Sequence, residues 1–291
     1  MEKHIDKIRQ DAFAYVNVDV AAVGPKFRSA ASPLLQSALL HVLDRVVDPS
    51  KNKTLRSLFV EGGAHFEDLD AGSDYAAFQM LGGCSSVDLH FSGPPFPYHS
   101  CYDNFEWMEK FGDPGLVYHK LIAQTMALLV LDLADTEVLP FDFGPYAEKL
   151  QQEIAAIEEK TKSQHILDYT SLWAAAGELA QSAAVFRDWA QNWSNLVYGS
   201  SGGLESNPMA LKRISHNTRM GNFETNLLGP GLKGREQYKH VLIAPDTWDG
   251  YSSTYFPYVR SAVDEGNWTE AQEAIDETAK ILSYASRKLI H

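Results

Sequence analysis

His65, Glu67 and Asp68 stand within four residues of one another, and an imidazole beside two carboxylates has the donor atoms a divalent cation takes. The run lies in a stretch rich in Gly, Ser, Pro and Asp, from Gly62 to Pro97, so it reads as solvated loop surface. His4, His41, His119, His165 and His240 fall in charged or amphipathic contexts and read as surface histidines or as core histidines with local partners. Asp19 differs from these. It closes the apolar, β-branched run AFAYVNVD (Ala12–Asp19), and a carboxylate at the C-terminal end of such a strand sits where α/β folds gather ligands. No HExxH, GxSxG, P-loop or GxGxxG occurs. Cys84 and Cys101 are the only cysteines, so there is no CxxC motif and no disulfide framework; they could form a single bridge, but the favoured reading is two free, half-buried thiols.

The elements that must position such groups follow from periodicity. Leu35, Leu39, Val42 and Val46 mark a helix buried on one face, after a loop punctuated by Gly24 and Pro25. The long segment Gly62–Pro97 reads as functional loop with a short apolar strand or helix start at Tyr75–Leu81. Helical stripes then dominate: Ile122, Met126, Leu129 and Leu133; Tyr146, Leu150, Ile154 and Ile157; Leu172, Ala176, Leu179, Ala183 and Phe186. GSSGG at Gly199–Gly203 reads as a joint, followed by a helix from Pro208 towards Phe223, a short strand in KHVLIAP, and a tail helix with Ala271, Ile275, Thr278 and Leu282 on one face. The pattern is an α/β portion to about residue 138 and a mostly helical portion after it.

The 291 residues are about two domains' worth, and 45% hydrophobic content is enough to bury a core. With 38 acidic against 25 basic residues the formal charge is −13, which argues against nucleic acid as a general partner. The apolar run Met126–Leu131 stops at Asp132, short of the roughly 20 residues a membrane span needs, and MEKHIDKIRQ is too charged for a secretory signal.

One segment is more specific. YHSCYDNFEWMEKFGDPGLVYHK through VLPFDF, Tyr98 to Phe143, with GSDYAAFQMLGG (Gly72–Gly83) upstream, closely resembles the glutamate carboxypeptidase II and transferrin receptor family. AYVNVD resembles that family's strand ending YINAD, and KHVLIAP with YSSTYFPYV resembles a late segment of it, so the resemblance runs from about Phe13 to the C-terminus. It implies the C-terminal part of a zinc peptidase α/β domain over residues 1–138, followed by an all-α helical-bundle dimerisation domain over 139–291.

Peptidases of the family hold two zinc ions through one bridging Asp, with one His and one further carboxylate on each ion. A Glu beside a ligand Glu acts as general base. Along the family chain the order is His, bridging Asp, Glu-Glu, Asp, His. The resemblance carries Asp19 onto the fourth element and His99 onto the fifth. The first three elements, including the general base, would lie upstream of Met1. Catalytic zinc normally takes three protein ligands, so with one per ion these residues alone are expected neither to retain zinc stoichiometrically nor to catalyse.

Gly72, Ser73, Tyr98 and Tyr251 match substrate-pocket positions of the family. The arginine pair that grips acidic side chains corresponds to Val87 and Leu89, and the lysine for the terminal carboxylate to Gly250; Arg28 falls near a further pocket position. Val and Leu cannot grip a carboxylate as Arg does, so a preference for acidic dipeptides is not expected. The helical part implies a homodimer, with Tyr146, Trp173, Phe186, Trp189 and Trp193 as candidate contact residues. Sequons at Asn52, Asn192 and Asn267 and the resemblance itself suggest a membrane-anchored, lumenal or extracellular parent with a peptide substrate. The rival reading is a non-catalytic dimerisation or binding module like the transferrin receptor ectodomain.

Overall fold

The computed structural model describes residues 2–164 and 167–290, so His165 falls outside the described residues. Helix α1 (Ile5–Asp11) leads into β1 (Ala14–Asn17), which occupies the middle of the expected strand. The segment expected as loop around Gly24 and Pro25 delivers a strand instead, β2 (Lys26–Ala31), before α2 (Pro33–Leu43). A two-residue hairpin, β3 (Val47–Asp48) and β4 (Lys53–Thr54), precedes α3 (Leu55–Glu61), whose first turn is capped by the Thr54 hydroxyl accepting the Ser57 N–H.

The larger correction concerns the Gly62–Pro97 loop. It contains a π-helical turn at Ala77–Gly82 and then β5 (Ser85–Ser92), the central strand of the main sheet. The order is β1-β5-β2, with β1 parallel and β2 antiparallel to β5. Strand β5 forms because Val87, Leu89 and Phe91 alternate with Asp88 and His90, so one face can be buried against helices while the other stays polar. Glycines frame it. A Cβ on Gly24 would sit 2.4 Å from Gly93 Cα, and one on Gly93 would sit 2.3 Å from the Val23 carbonyl, so the chain entering β2 crosses the chain leaving β5 only because neither residue has a side chain.

After a single turn, α4 (Phe105–Trp107), come α5 (Val117–Asp135), α6 (Phe143–Thr161), α7 (Thr170–Ser194) and α8 (Asn207–Gly221). A small hairpin, β6 (Ile243–Pro245) with β7 (Ser253–Tyr255), leads to α9 (Pro257–Asp264) and α10 (Trp268–Ile290). The stripes expected for α6, α7 and α10 are all buried. On α5 the buried face is Leu121, Ile122, Thr125, Leu129 and Leu133, with Met126 turned outward. By length and composition α5 is apolar enough to cross a membrane, the one such helix among the described residues; its buried face rests on α2 and the main sheet. Cys84 is buried, where desolvation pushes its thiol up to about 12, and Cys101 is exposed; the thiols are free but not equally half-buried.

Tyr146, Phe186 and Trp193 are core residues, and Trp173 and Trp189 pack against the core, so they are not the exposed apolar surface of the helical part. That surface includes Val185, Leu196, Tyr198, Leu204, Leu211 and Ile214, with Trp248, Tyr251 and Tyr284 further along the chain. One continuous core runs from Ala22 to Leu289. At its centre Glu224 is buried and accepts from three elements: Ser32 Oγ at 3.1 Å, Tyr146 OH at 3.3 Å and His240 Nε2 at 2.6 Å. His240 Nδ1 accepts the Leu242 N–H, which leaves Nε2 as the donor to Glu224.

Glu224→Leu strands three buried donors and is expected to cost about 3–5 kcal/mol, while Glu224→Gln keeps an acceptor and costs less; urea denaturation of the two variants measures the difference. His216, on α8, is buried beside Trp189 with both ring nitrogens unpaired, and burial, then the charges of Arg219 and Lys212, push its pKa down to about 4. Its folded value lies below the unfolded 6.5, so the unfolded chain takes up the extra proton and stability declines as pH falls from about 6.5 towards 4. His216→Phe is expected to remove up to about 3 kcal/mol of that decline, read from urea midpoints across the range.

Candidate functional site

The polar face of β5 meets the end of β1 in a buried hydrogen-bonded pair. Asn17 is the last residue of β1, and its amide donates to Asp88 Oδ1 at 2.7 Å and to the Ser73 hydroxyl at 3.0 Å. Tyr15 OH donates to Asn17 Oδ1 at 3.2 Å, and His90 Nδ1 lies 3.4 Å from Asp88 Oδ2. The Asn17 amide therefore joins both strands to the loop that carries Gly72 and Ser73.

That loop is held from its other side as well. Asp70 Oδ1 accepts the Gly72 N–H at 2.8 Å and the Tyr75 hydroxyl. Burial, the bond to Asp70 and the charges of Asp70, Asp88 and Asp19 push the Tyr75 phenol far above its ordinary value. Asp19, two residues beyond β1 and exposed, thus shares an electrostatic environment with Tyr75 and Asp88. The Ala71 N–H donates to the Tyr251 carbonyl at 2.6 Å, which brings the Asp246–Ser252 loop alongside while the Tyr251 ring stays exposed. Asp249 organises that loop by accepting the Tyr251 and Ser252 N–H groups and the Ser252 hydroxyl, and these bonds hold its carboxyl below the usual range.

Tyr98 and His99 lie on the loop that leaves β5. Both are exposed, their rings stack at 3.8 Å, and His99 has a left-handed backbone with φ of 56°. Of the residues expected at a site, the fold gathers Asp19, Gly72, Ser73 and Tyr251 around the end of β1 and sets Tyr98 with His99 on the adjoining loop. No hydrogen bond joins Asp19 to His99 among the described residues. Nor do the described residues contain a group of three or more His, Cys, Asp or Glu side chains arranged to hold a metal ion. A carboxylate and an imidazole are suitable zinc donors, but the residues present do not make up a complete zinc site.

Two features escaped the sequence reading. Val87 and Leu89 are fully buried on the helix-covered face of β5, so the positions matched to an arginine pair do not face the site; Asp88 between them does. Asn17 was unremarked inside an apolar strand. The alternation in SVDLHF was the signal for Asp88, because an acid between two core residues of one strand must point the other way. With Asp19, Asp70, Asp74 and Asp88 around Tyr15 and Tyr75, the region is electronegative.

Residues 167–290 match the family model of the transferrin receptor-like dimerisation domain. Over 98% of its length the chain is 31% identical to a probable glutamate carboxypeptidase, LAMP1, of Arabidopsis thaliana, covering 42% of that protein. It is 28% identical to aminopeptidase NAALADL1 of Mus musculus (99% of this chain, 41% of the relative) and 25% identical to an inactive zinc metalloprotease of Schizosaccharomyces pombe (98% and 35%). Residues 167–290 thus resemble the transferrin receptor-like dimerisation domain, and the chain as a whole is similar to the C-terminal part of glutamate carboxypeptidase-like proteins. It spans about two fifths of the length of these relatives.

Tyr251 presents its ring to solvent, whereas Tyr255 is buried and donates to Asp68 Oδ1 at 3.2 Å beneath the Lys149 ammonium. Tyr251→Ala is expected to change stability by less than about 0.5 kcal/mol and Tyr255→Phe to cost about 1 kcal/mol, as chemical denaturation would show.

Proposed function

We propose that residues 1–138 are the C-terminal part of a zinc peptidase α/β domain and residues 139–291 its helical dimerisation domain. The parent protein hydrolyses peptide bonds near a C-terminus. Asp19 and His99 each give one ligand to a different one of two zinc ions, and Gly72, Ser73, Tyr98 and Tyr251 shape the peptide pocket. The observation that carries this reading is the convergence at the end of β1, where Ser73 meets Asn17 and the Tyr251 loop meets Ala71. These residues come from three distant parts of the sequence, and Ser73 and Tyr251 are among those whose motifs mark them as pocket positions.

The chemistry available to this chain is positioning. Asn17, by holding Ser73 against Asp88, sets the Gly72–Tyr75 loop that would border a peptide; the Ala71–Tyr251 bond fixes the opposite wall. When bound, zinc supplies the Lewis acidity and the activated water of peptide hydrolysis. With one donor per ion and no general base among its assigned residues, this chain by itself is silent. The second reading, a non-catalytic dimerisation or binding module, is favoured by the relative named inactive.

The test compares the isolated chain with a chimera in which the N-terminal part of the Arabidopsis relative precedes it. The isolated chain is expected to retain less than about 0.1 zinc per chain after dialysis, to cleave no peptides, and to sediment as a dimer at micromolar concentration. The chimera should hold two zinc ions and cleave peptides, with Asp19→Ala and His99→Ala each releasing one ion. Two tightly held ions in the isolated chain would overturn the assignment, and a folded chimera without zinc would favour the binding module.

A further inference from the structure

We propose that the cavity between α9, α10 and the Pro230–Lys233 turn binds a small organic amine: one ammonium carried on an aromatic or aliphatic body of about nine heavy atoms. The cavity holds about 230 Å³, below the roughly 300–1,000 Å³ of drug-sized sites, so its ligand is small. Two helix faces build it. On α10 the lining residues Glu270, Glu273, Ala274, Glu277 and Thr278 fall at i, i+3, i+4, i+7 and i+8, which is a single face. Tyr258, Ser261, Ala262 and Glu265 repeat that spacing along α9 and its C-cap. Leu232 and Val241, both buried, supply an apolar floor. Tyr258 ties the turn to α9, its hydroxyl accepting the Gly231 N–H at 3.0 Å and donating to the Lys239 carbonyl at 3.4 Å.

The one cation in the lining is Lys233, and it is already engaged: its Nζ stands 3.6 Å from Glu270, which also accepts Asn267 Nδ2 at 2.7 Å. Glu265, Glu273 and Glu277 are exposed at the rim, and their carboxylates form no ion pair or hydrogen bond among the described residues. Glu277 faces α9. Burial pushes the Tyr258 phenol up, the Gly231 bond opposes the rise, and the Glu277 charge adds to it. Surface acids alone are a solvated face; the buried hydroxyl beside them is what points to a ligand. Thr278 is 1% exposed, lines the cavity and makes no side-chain hydrogen bond among the described residues. Thr125, Thr161 and Thr218, also on helices, each donate to the carbonyl four residues back. An unpaired hydroxyl in a cavity wall is left for a ligand's N–H, and its neighbour Glu277 supplies the opposite charge. The described residues hold no group of three or more His, Cys, Asp or Glu arranged for a metal ion, so these carboxylates suit an ammonium on a body rather than a bare divalent cation. The lining falls within residues 230–278 and includes none of the residues assigned to the peptide pocket, so the proposal does not rest on that reading.

The experiment is calorimetric titration of the chain with 2-phenylethylamine, 2-phenylethanol and 3-phenylpropionate, with amide NMR shifts to locate binding. The amine is expected to bind about tenfold more tightly than the alcohol, and the acid more weakly still, with shifts centred on residues 230–233, 258–265 and 270–278. Glu277→Gln, at an exposed position, should weaken the amine about threefold or more without lowering the melting temperature. Thr278→Val, which keeps the shape and removes the hydroxyl, should weaken it by about as much. Calcium chloride at the amine's concentration should not displace it. Equal binding of amine and alcohol, shifts centred elsewhere, no saturable binding up to millimolar amine, displacement by equimolar calcium, or an unchanged affinity in both folded variants would each overturn the proposal.

Discussion

A carboxylate buried in a protein interior persists only if donors replace the water it has lost, and Glu224 has drawn its donors from three separate parts of the chain. Ser32 starts α2, Tyr146 lies on α6, and His240 precedes β6. Because each donor is itself buried, the interaction is stringent in both directions: displacing any one element leaves a polar group unpaired in the core. This requirement ties the strand-bearing part of the chain to the helical part at a single orientation. The adjacent residue adds a further tie, with the Thr225 hydroxyl donating to the Gly83 carbonyl where the π-helical turn ends.

The consequence is that the loops proposed to border a peptide are shaped by both parts. The loop carrying Gly72 and Ser73 receives the Ala71–Tyr251 bond, its flank receives Tyr255 on Asp68, and the Met80 carbonyl accepts the Lys239 and His240 N–H groups. All of these partners lie in the stretch matched by the transferrin receptor-like dimerisation domain. The stretch matched by the dimerisation-domain model and the loops at the end of β1 therefore share one core rather than meeting at a hinge, since buried residues continue without interruption across residue 138.

Much of the helical architecture was legible from one-dimensional periodicity. The stripes on α6, α7 and α10 are buried because a 3.6-residue repeat of apolar side chains has one arrangement that removes them from water. Strands β2 and β5 were harder to read. Their neighbours are Gly- and Pro-rich, and those residues serve a close crossing of backbones at Gly24 and Gly93 rather than a long loop. On α5 the apolar residues outnumber those that can be buried, so composition alone could not single out Leu121, Ile122 and Leu129 over Met126.

At the proposed site, Asp19, His99, Gly72, Ser73, Tyr98 and Tyr251 are assigned through short contiguous motifs that resemble the family's. The facing of the side chains was a different matter. Whether Val87, Asp88 or Leu89 borders the site depends on the register of β5 between β1 and β2, and a strand shows opposite faces at successive residues. The pairing of Asn17 with Asp88 and the meeting of Ser32 with Glu224 join residues far apart in the chain, and only the packed fold brings them within hydrogen-bonding distance. Covalent order thus determined which chemical groups are present and which segments are helical; burial and strand register decided which of those groups face one another.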